Sequence, residues 1–117
     1  MIRIITFSCK KITEEELIRC SFDLNKTEYN VLIFLLRNDK MLTVSEISKA
    51  MRLERTTVQK AIKNLVDKRL AKRIQKNLLR GGYVFLYKPY NKNEIKNKMK
   101  EITYKWYKSV EEHIDKL

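Results

Sequence analysis

TVSEISKAMRLERTTVQKAIKNLVDKRLAKRIQKNLLRGGYVFLYK, residues 43 to 88, contains two stretches of helical periodicity and two of strand character. In the second helical stretch, at 100° per residue from Val58, Ile62 falls at about 40°, Leu65 at about 340° and Ala61 at about 300°, forming one apolar stripe. Thr56, Lys60 and Lys63 fall at about 140° to 200°, with Gln59 at their edge, so one face is apolar and the other polar and basic. Asp67 shares that outward face, and a carboxylate there repels phosphate, which puts it beyond any contact zone with a polyanion. Upstream, Val44, Ile47 and Met51 recur at i, i+3 and i+7, and only Arg52-Leu53-Glu54 separates the two helices. A turn of that length joins the helices of a helix-turn-helix, although many such turns contain Gly. Glu54 is a weaker N-cap than Ser or Asp.

Both glycines of the chain stand together at Gly81-Gly82, where a hairpin tip needs residues that tolerate positive φ. Leu70–Leu78 and Tyr83–Lys88 flank them as strands, with Tyr83, Phe85 and Tyr87 alternating on one face and Val84 and Leu86 on the other. Lys72, Arg73, Lys76, Arg80 and Lys88 give residues 71–90 a charge of +5 with no acidic residue. A basic hairpin beside a recognition helix can reach a minor groove or the flanking phosphates, with Arg73, Lys76 and Arg80 as candidate contacts.

The order LNKTEYNVLIFLL, LTVSEISKAM, RTTVQKAIKNLVDKRLAKR, GGYVFLYKPYNKNEI resembles archaeal and bacterial winged-helix transcription regulators of the MarR and TrmB type. The resemblance runs from Leu24 to the C-terminus and is strongest in the reading-helix pattern and the Tyr-x-Phe-x-Tyr return strand. It implies a homodimeric DNA-binding repressor or activator with Arg55, Thr56, Thr57, Gln59, Lys60 and Lys63 at the groove. At the start of the reading helix this chain has Glu54 and Arg55 where MarR-like proteins often have Pro or Ser. Nothing in it corresponds to the sugar-binding domain of full-length TrmB-like regulators, so sugar sensing does not carry over.

The charge distribution agrees. Of the net +12 over 117 residues, residues 25–70 and 71–90 each carry +5, while residues 1–24 are neutral. A positive balance confined to the proposed reading head points to a polyanionic partner. MIRIITF is too short and too lightly basic for a signal peptide. The longest apolar run, VLIFLL at 31–36, falls far below the roughly 20 residues of a membrane span, so a cytoplasmic, nucleoid-associated protein is expected, with no membrane partner. Cys9 and Cys20 lack the further ligands zinc requires and are expected to be free thiols, a redox-sensing disulfide being the sharper alternative. With one His, no phosphate-binding glycine loop and no carboxylate pair in an apolar setting, neither an enzyme nor a cofactor or metal site is expected. His113 receives no role.

Around this unit, Thr13-Glu14-Glu15-Glu16 starts a first helix that buries Leu17, Ile18 and Phe22. Thr27 opens a second helix, apolar nearly all round, with Leu32, Ile33 and Leu36 facing one way and Phe34 and Leu35 others. Asn38-Asp39-Lys40 forms a turn, and Met41-Leu42-Thr43 supplies a short third strand for the wing sheet. Beyond Pro89, Asn91 caps a final helix with Glu94 at N3, and Ile95, Met99, Ile102, Trp106, Val110, Ile114 and Leu117 form an apolar stripe along it. The stripe is expected to pair with a second copy while clamping Phe34 and Leu35.

The expected architecture is mainly α with a small β-hairpin wing: one winged-helix domain over 1–117, with helix-turn-helix and wing at 24–90 and a long dimerisation helix at 91–117. The expected function is sequence-specific binding of double-stranded DNA by a homodimer, with any small-molecule effector unspecified. A sequence-nonspecific architectural DNA-binding protein and a winged helix used for protein contacts in a transcription assembly are the alternatives.

Overall fold

A computed structural model describes residues 4–38 and 40–117, so Ile2 and the Asp39 of the expected turn lie outside the described residues. The element order is β1 (Ile4–Phe7), β2 (Lys10–Thr13), α1 (Glu14–Phe22), α2 (Lys26–Arg37), α3 (Val44–Met51), α4 (Arg55–Asp67), β3 (Ala71–Asn77), β4 (Tyr83–Pro89) and α5 (Lys92–Asp115).

Four of the described helices start on side-chain caps. Thr13, Asn25 and Thr43 each accept the backbone N–H three residues on, and Asn25 and Thr43 receive reciprocal bonds from Glu28 and Glu46 to their own N–H groups. Helix α2 therefore begins at Lys26 on an Asn25 cap rather than at Thr27, because the Asn carboxamide reaches the orphan amide. At α5, Asn91 accepts from the Asn93 amide (2.8 Å), so Glu94 does not complete the expected box.

The core gathers the apolar stripes at one point. Val31, Leu32 and Leu35 of α2, Ile47 of α3, Val58, Ile62 and Leu65 of α4, and Leu70 are essentially inaccessible to solvent. Leu32 thus joins Val31 and Leu35 in the core, whereas Ile33 and Leu36 turn to a cleft lined by Leu17 and Ile18 of α1 and Ile95 and Met99 of α5. The helix apolar on all sides is covered by α4, β4 and α1. Ile95 and Met99 face Ile33 and Leu36 across that cleft, while Leu35 is enclosed in the core and Phe34 and Met99 pack against its edge.

The remainder of α5 runs free. Ile102, Trp106, Ile114 and Leu117 are exposed, and the molecule is 67 Å long by 24 and 23 Å across. Its radius of gyration is 17.5 Å, against roughly 13 Å for a compact chain of about 100 residues, because about 24 Å of helix, residues 100–115, leaves the core at one end.

Two sheets are present where one was expected. β1 pairs antiparallel with β2 in register Ile4↔Thr13 to Phe7↔Lys10, ahead of α1. β3 and β4 pair from Ala71↔Pro89 to Asn77↔Tyr83. The expected third wing strand reduces to one bridge, in which Leu42 and Tyr87 exchange both backbone bonds (3.0 and 2.8 Å) before Thr43 caps α3.

Candidate nucleic-acid interface

The turn between α3 and α4 sets the presentation of α4. Arg52 takes a left-handed conformation (φ 56°) and its amide donates to the Lys49 and Ser48 carbonyls, while the Leu53 amide donates to Ser48 O at 3.0 Å. This is a Schellman closure made without glycine, at a cost of about 1–2 kcal/mol for the non-Gly φ. The Glu54 side chain makes no capping bond and the first turn of α4 holds no acid, so the helix starts with unneutralised amides.

Packing of Val58, Ala61, Ile62 and Leu65 against the core then decides which side chains leave it. Thr56, Lys60 and Lys63 are exposed on the far side, where the periodicity places them. Arg55 and Gln59, also exposed, border a trench of about 360 Å³ whose other wall is Tyr83, Phe85 and Tyr87 of β4. Thr57 is half-buried and, together with Lys60, lines a cleft with Asn25 and Glu28 at the start of α2. Asp67, at the C-terminal end of α4, lines a cleft with Lys63 and Arg73 and offsets part of their charge.

Directly opposed residues in an antiparallel pair share a face, so the register sorts the wing's cations. Arg73 lies opposite Tyr87 on the aromatic face, its guanidinium 4.4 Å from the Phe85 ring centroid. Lys76, opposite Val84, is on the reverse face together with the directly opposed pair Lys72 and Lys88. Like charges so placed repel, and Lys72 settles 4.7 Å over the Tyr90 ring. Lys98 of α5 covers the same ring at 4.4 Å and donates to the Arg69 carbonyl at 2.5 Å, and burial lowers its pKa from 10.5. Arg80 is exposed in the tip, Leu78–Gly82, which is closed by Leu78 N–H to Gly82 O (3.0 Å) and Gly81 N–H to Leu78 O (3.1 Å), with both glycines at positive φ.

Arg55 and Gln59 therefore border the aromatic trench, Gln59 with Lys63, Asp67 and Arg73 lines a second cleft that shares Tyr87 with it, and Lys76 lies on the reverse face of the wing. The Tyr83, Phe85 and Tyr87 face was read from the alternation along the return strand, whereas its place opposite α4 and the Lys72–Lys88 pair were not, because they depend on packing and on the hairpin register. Cys9 and Cys20 are free and exposed. No helix of the described residues is long and apolar enough to cross a membrane.

Residues 22–77 match the model of the MarR family. A structure described as a possible transcriptional regulator from Methanosarcina mazei Go1 is 34% identical, with 97% of this chain and 96% of that one covered and a TM-score of 0.90. The Methanocaldococcus jannaschii protein MJ1082 is 34% identical over 101 residues, 86% of this chain and 82% of that protein. The Staphylococcus aureus MepR–DNA complex aligns with a TM-score of 0.56 at 18% identity over 84% of this chain and 79% of that one, a likeness of fold.

Proposed function

Since the chain belongs to the MarR family, we propose that it regulates transcription as a homodimer that binds double-stranded DNA sequence-specifically, with α4 in the major groove and the β3–β4 wing on the flanking backbone or minor groove. The observation that carries this reading is the division of α4: Val58, Ile62 and Leu65 are locked in the core, and Thr56, Lys60 and Lys63 are exposed on the opposite face. A helix of 13 residues, roughly 20 Å long, fits a groove about 12 Å wide. Thr56, Lys60, Lys63, Arg55 and Gln59 contact base edges and phosphates; Arg73, Lys76 and Arg80 contact the flanking backbone; Thr57 braces α4 against α2.

The whole chain works as one unit, residues 24–90 reading DNA and residues 91–117 pairing two copies. Trp106, Ile102 and Ile114, exposed on the projecting part of α5, are the surface a second chain covers, which sets the two reading helices about one duplex turn, roughly 34 Å, apart.

The test is the salt dependence of binding. Neutralising about 6 to 10 phosphates gives a slope of log K against log salt of about −5 to −9, and Lys60→Ala or Lys63→Ala should reduce its magnitude by about 1 and weaken binding. A slope near zero removes the DNA reading. Competition between a selected site and random duplex at physiological salt separates a regulator from a nonspecific coat.

A further inference from the structure

Outside the trench, the wing ends in an arrangement that phosphate contact does not explain. Leu79, at the tip of the hairpin, is fully solvent-exposed (107% relative accessibility), and Leu78 beside it is 46% exposed. Exposing a large aliphatic side chain at the far end of a ribbon forgoes its burial, and no element of the chain lies over it. The tip is nonetheless held in shape by the Leu78–Gly82 and Leu78–Gly81 backbone bonds. Its neighbours are cationic: Arg80 adjoins Leu79, and Lys76 stands on the strand just before it, with no acid anywhere in residues 71–90. An apolar point ringed by positive charge suits a surface that is anionic at its rim and apolar within. The duplex minor groove takes that character where a base step opens, with phosphates along its edges and apolar base faces accessible between the parted pairs, and Leu is among the side chains that part base steps there.

We propose that Leu79, supported by Leu78, is a wedge that enters the minor groove flanking the half-site and opens a base step, bending the duplex while Arg80 and Lys76 hold the adjacent phosphates. This rests on the DNA-binding reading above and adds to it a specificity determinant at positions that no base-edge contact reads. Pyrimidine–purine steps such as TA unstack most readily and stiff A-tracts resist, so the wing selects for deformability rather than for hydrogen-bonding pattern. The glycines suit this role: a Cβ added at either would meet nothing within 4 Å, so the tip stands in open space where a groove wall can approach it.

The test uses the full chain and two 40-bp A·T-only duplexes of equal composition, one rich in TA steps and one built of A-tracts, each end-labelled with a donor–acceptor pair. The wild-type protein is expected to shorten the end-to-end distance of the TA duplex and to prefer it by about 5- to 10-fold, the lower part of the range for changing one base pair in a site. Leu79→Ala should abolish both the bend and the preference while keeping the salt slope, because no cation is lost. Arg80→Ala should lower the slope by about 1 on both duplexes. Wild-type binding without a bend, or a Leu79→Ala protein that bends and discriminates as wild type does, overturns the wedge and leaves DNA binding standing. Failure of the wild type to bind either duplex overturns the DNA reading and the wedge with it.

Discussion

Among the described residues Glu28 is the only charged side chain in the core, 4% exposed, and its neighbours show why it is tolerated. One carboxylate oxygen accepts the Asn25 amide at 2.9 Å, and the other accepts the Asn64 carboxamide of α4. A capping-box acid, whose first task is to start α2, thereby also ties α2 to the reading helix. Removing one partner of a buried polar group leaves the other unsatisfied, which costs about 1–3 kcal/mol. Asn64→Ala should lower the unfolding free energy by that amount, read as a lower urea midpoint at an unchanged m-value, and an unchanged midpoint would show that Glu28 is satisfied without α4. Neither half of the pair could be matched from sequence, since 36 residues separate them and Asn64 reads as an ordinary polar position.

Helix α3 has eight residues and depends on its ends. Its N-terminus is closed by the Thr43 hydroxyl accepting the Glu46 amide (3.1 Å) and the Glu46 carboxylate accepting the Thr43 amide (3.0 Å). Those bonds, the backbone amide first, hold the Glu46 carboxyl below its ordinary value of 4.5. A depressed acid contributes stability that is fully present above its unfolded pKa and is lost as the pH falls through the folded one, here in the window below pH 4.5. Glu46→Gln keeps an acceptor that does not titrate, so its stability should fall less steeply over that window than the wild type's. Urea melts taken stepwise from pH 6 downward check this, and parallel curves would sink it. Glu15, depressed chiefly by its bond to Lys26, contributes the same sign to both proteins and cancels in the comparison. The T-x-x-E pattern at Thr43 marks the start of the helix although Thr43 was expected in a strand, whereas the closure of the same helix through Arg52 leaves no such mark, because that closure normally announces itself by a glycine.

Over the full 67 Å of the molecule, one end is a packed head and the other a helix with apolar residues in water. Trp106 is 64% and Ile114 58% exposed, and at the N-terminus Ile4, Ile5 and Phe7 of a two-stranded hairpin are exposed as well. A two-stranded hairpin is marginal in water and gains from cover. In the proposed dimer a second copy supplies that cover along α5. Trp106→Glu should convert a species of two 14.1-kDa chains to one in analytical ultracentrifugation and weaken binding to a two-half-site duplex far more than to a single half-site, since linked sites lose their effective concentration. A wild-type protein that sediments as one chain at micromolar concentration refutes the pairing surface.

The helix-turn-helix, its wing and the direction of the lysine face on α4 were all contained in the chain's own periodicities, because a stripe repeating every 3.6 residues or an alternation of two encodes orientation within a single element. The β1–β2 hairpin escaped: Ile4-Ile5-Thr6-Phe7 does not alternate strictly and Ser8-Cys9 is not a turn dipeptide of the Asn-Gly kind. Which cations line which cleft, which partner satisfies Glu28 and where α5 leaves the core were decided by packing between segments far apart in the chain. Those choices depend on strand register and on the volume left between helices, and neither quantity exists until the elements have met.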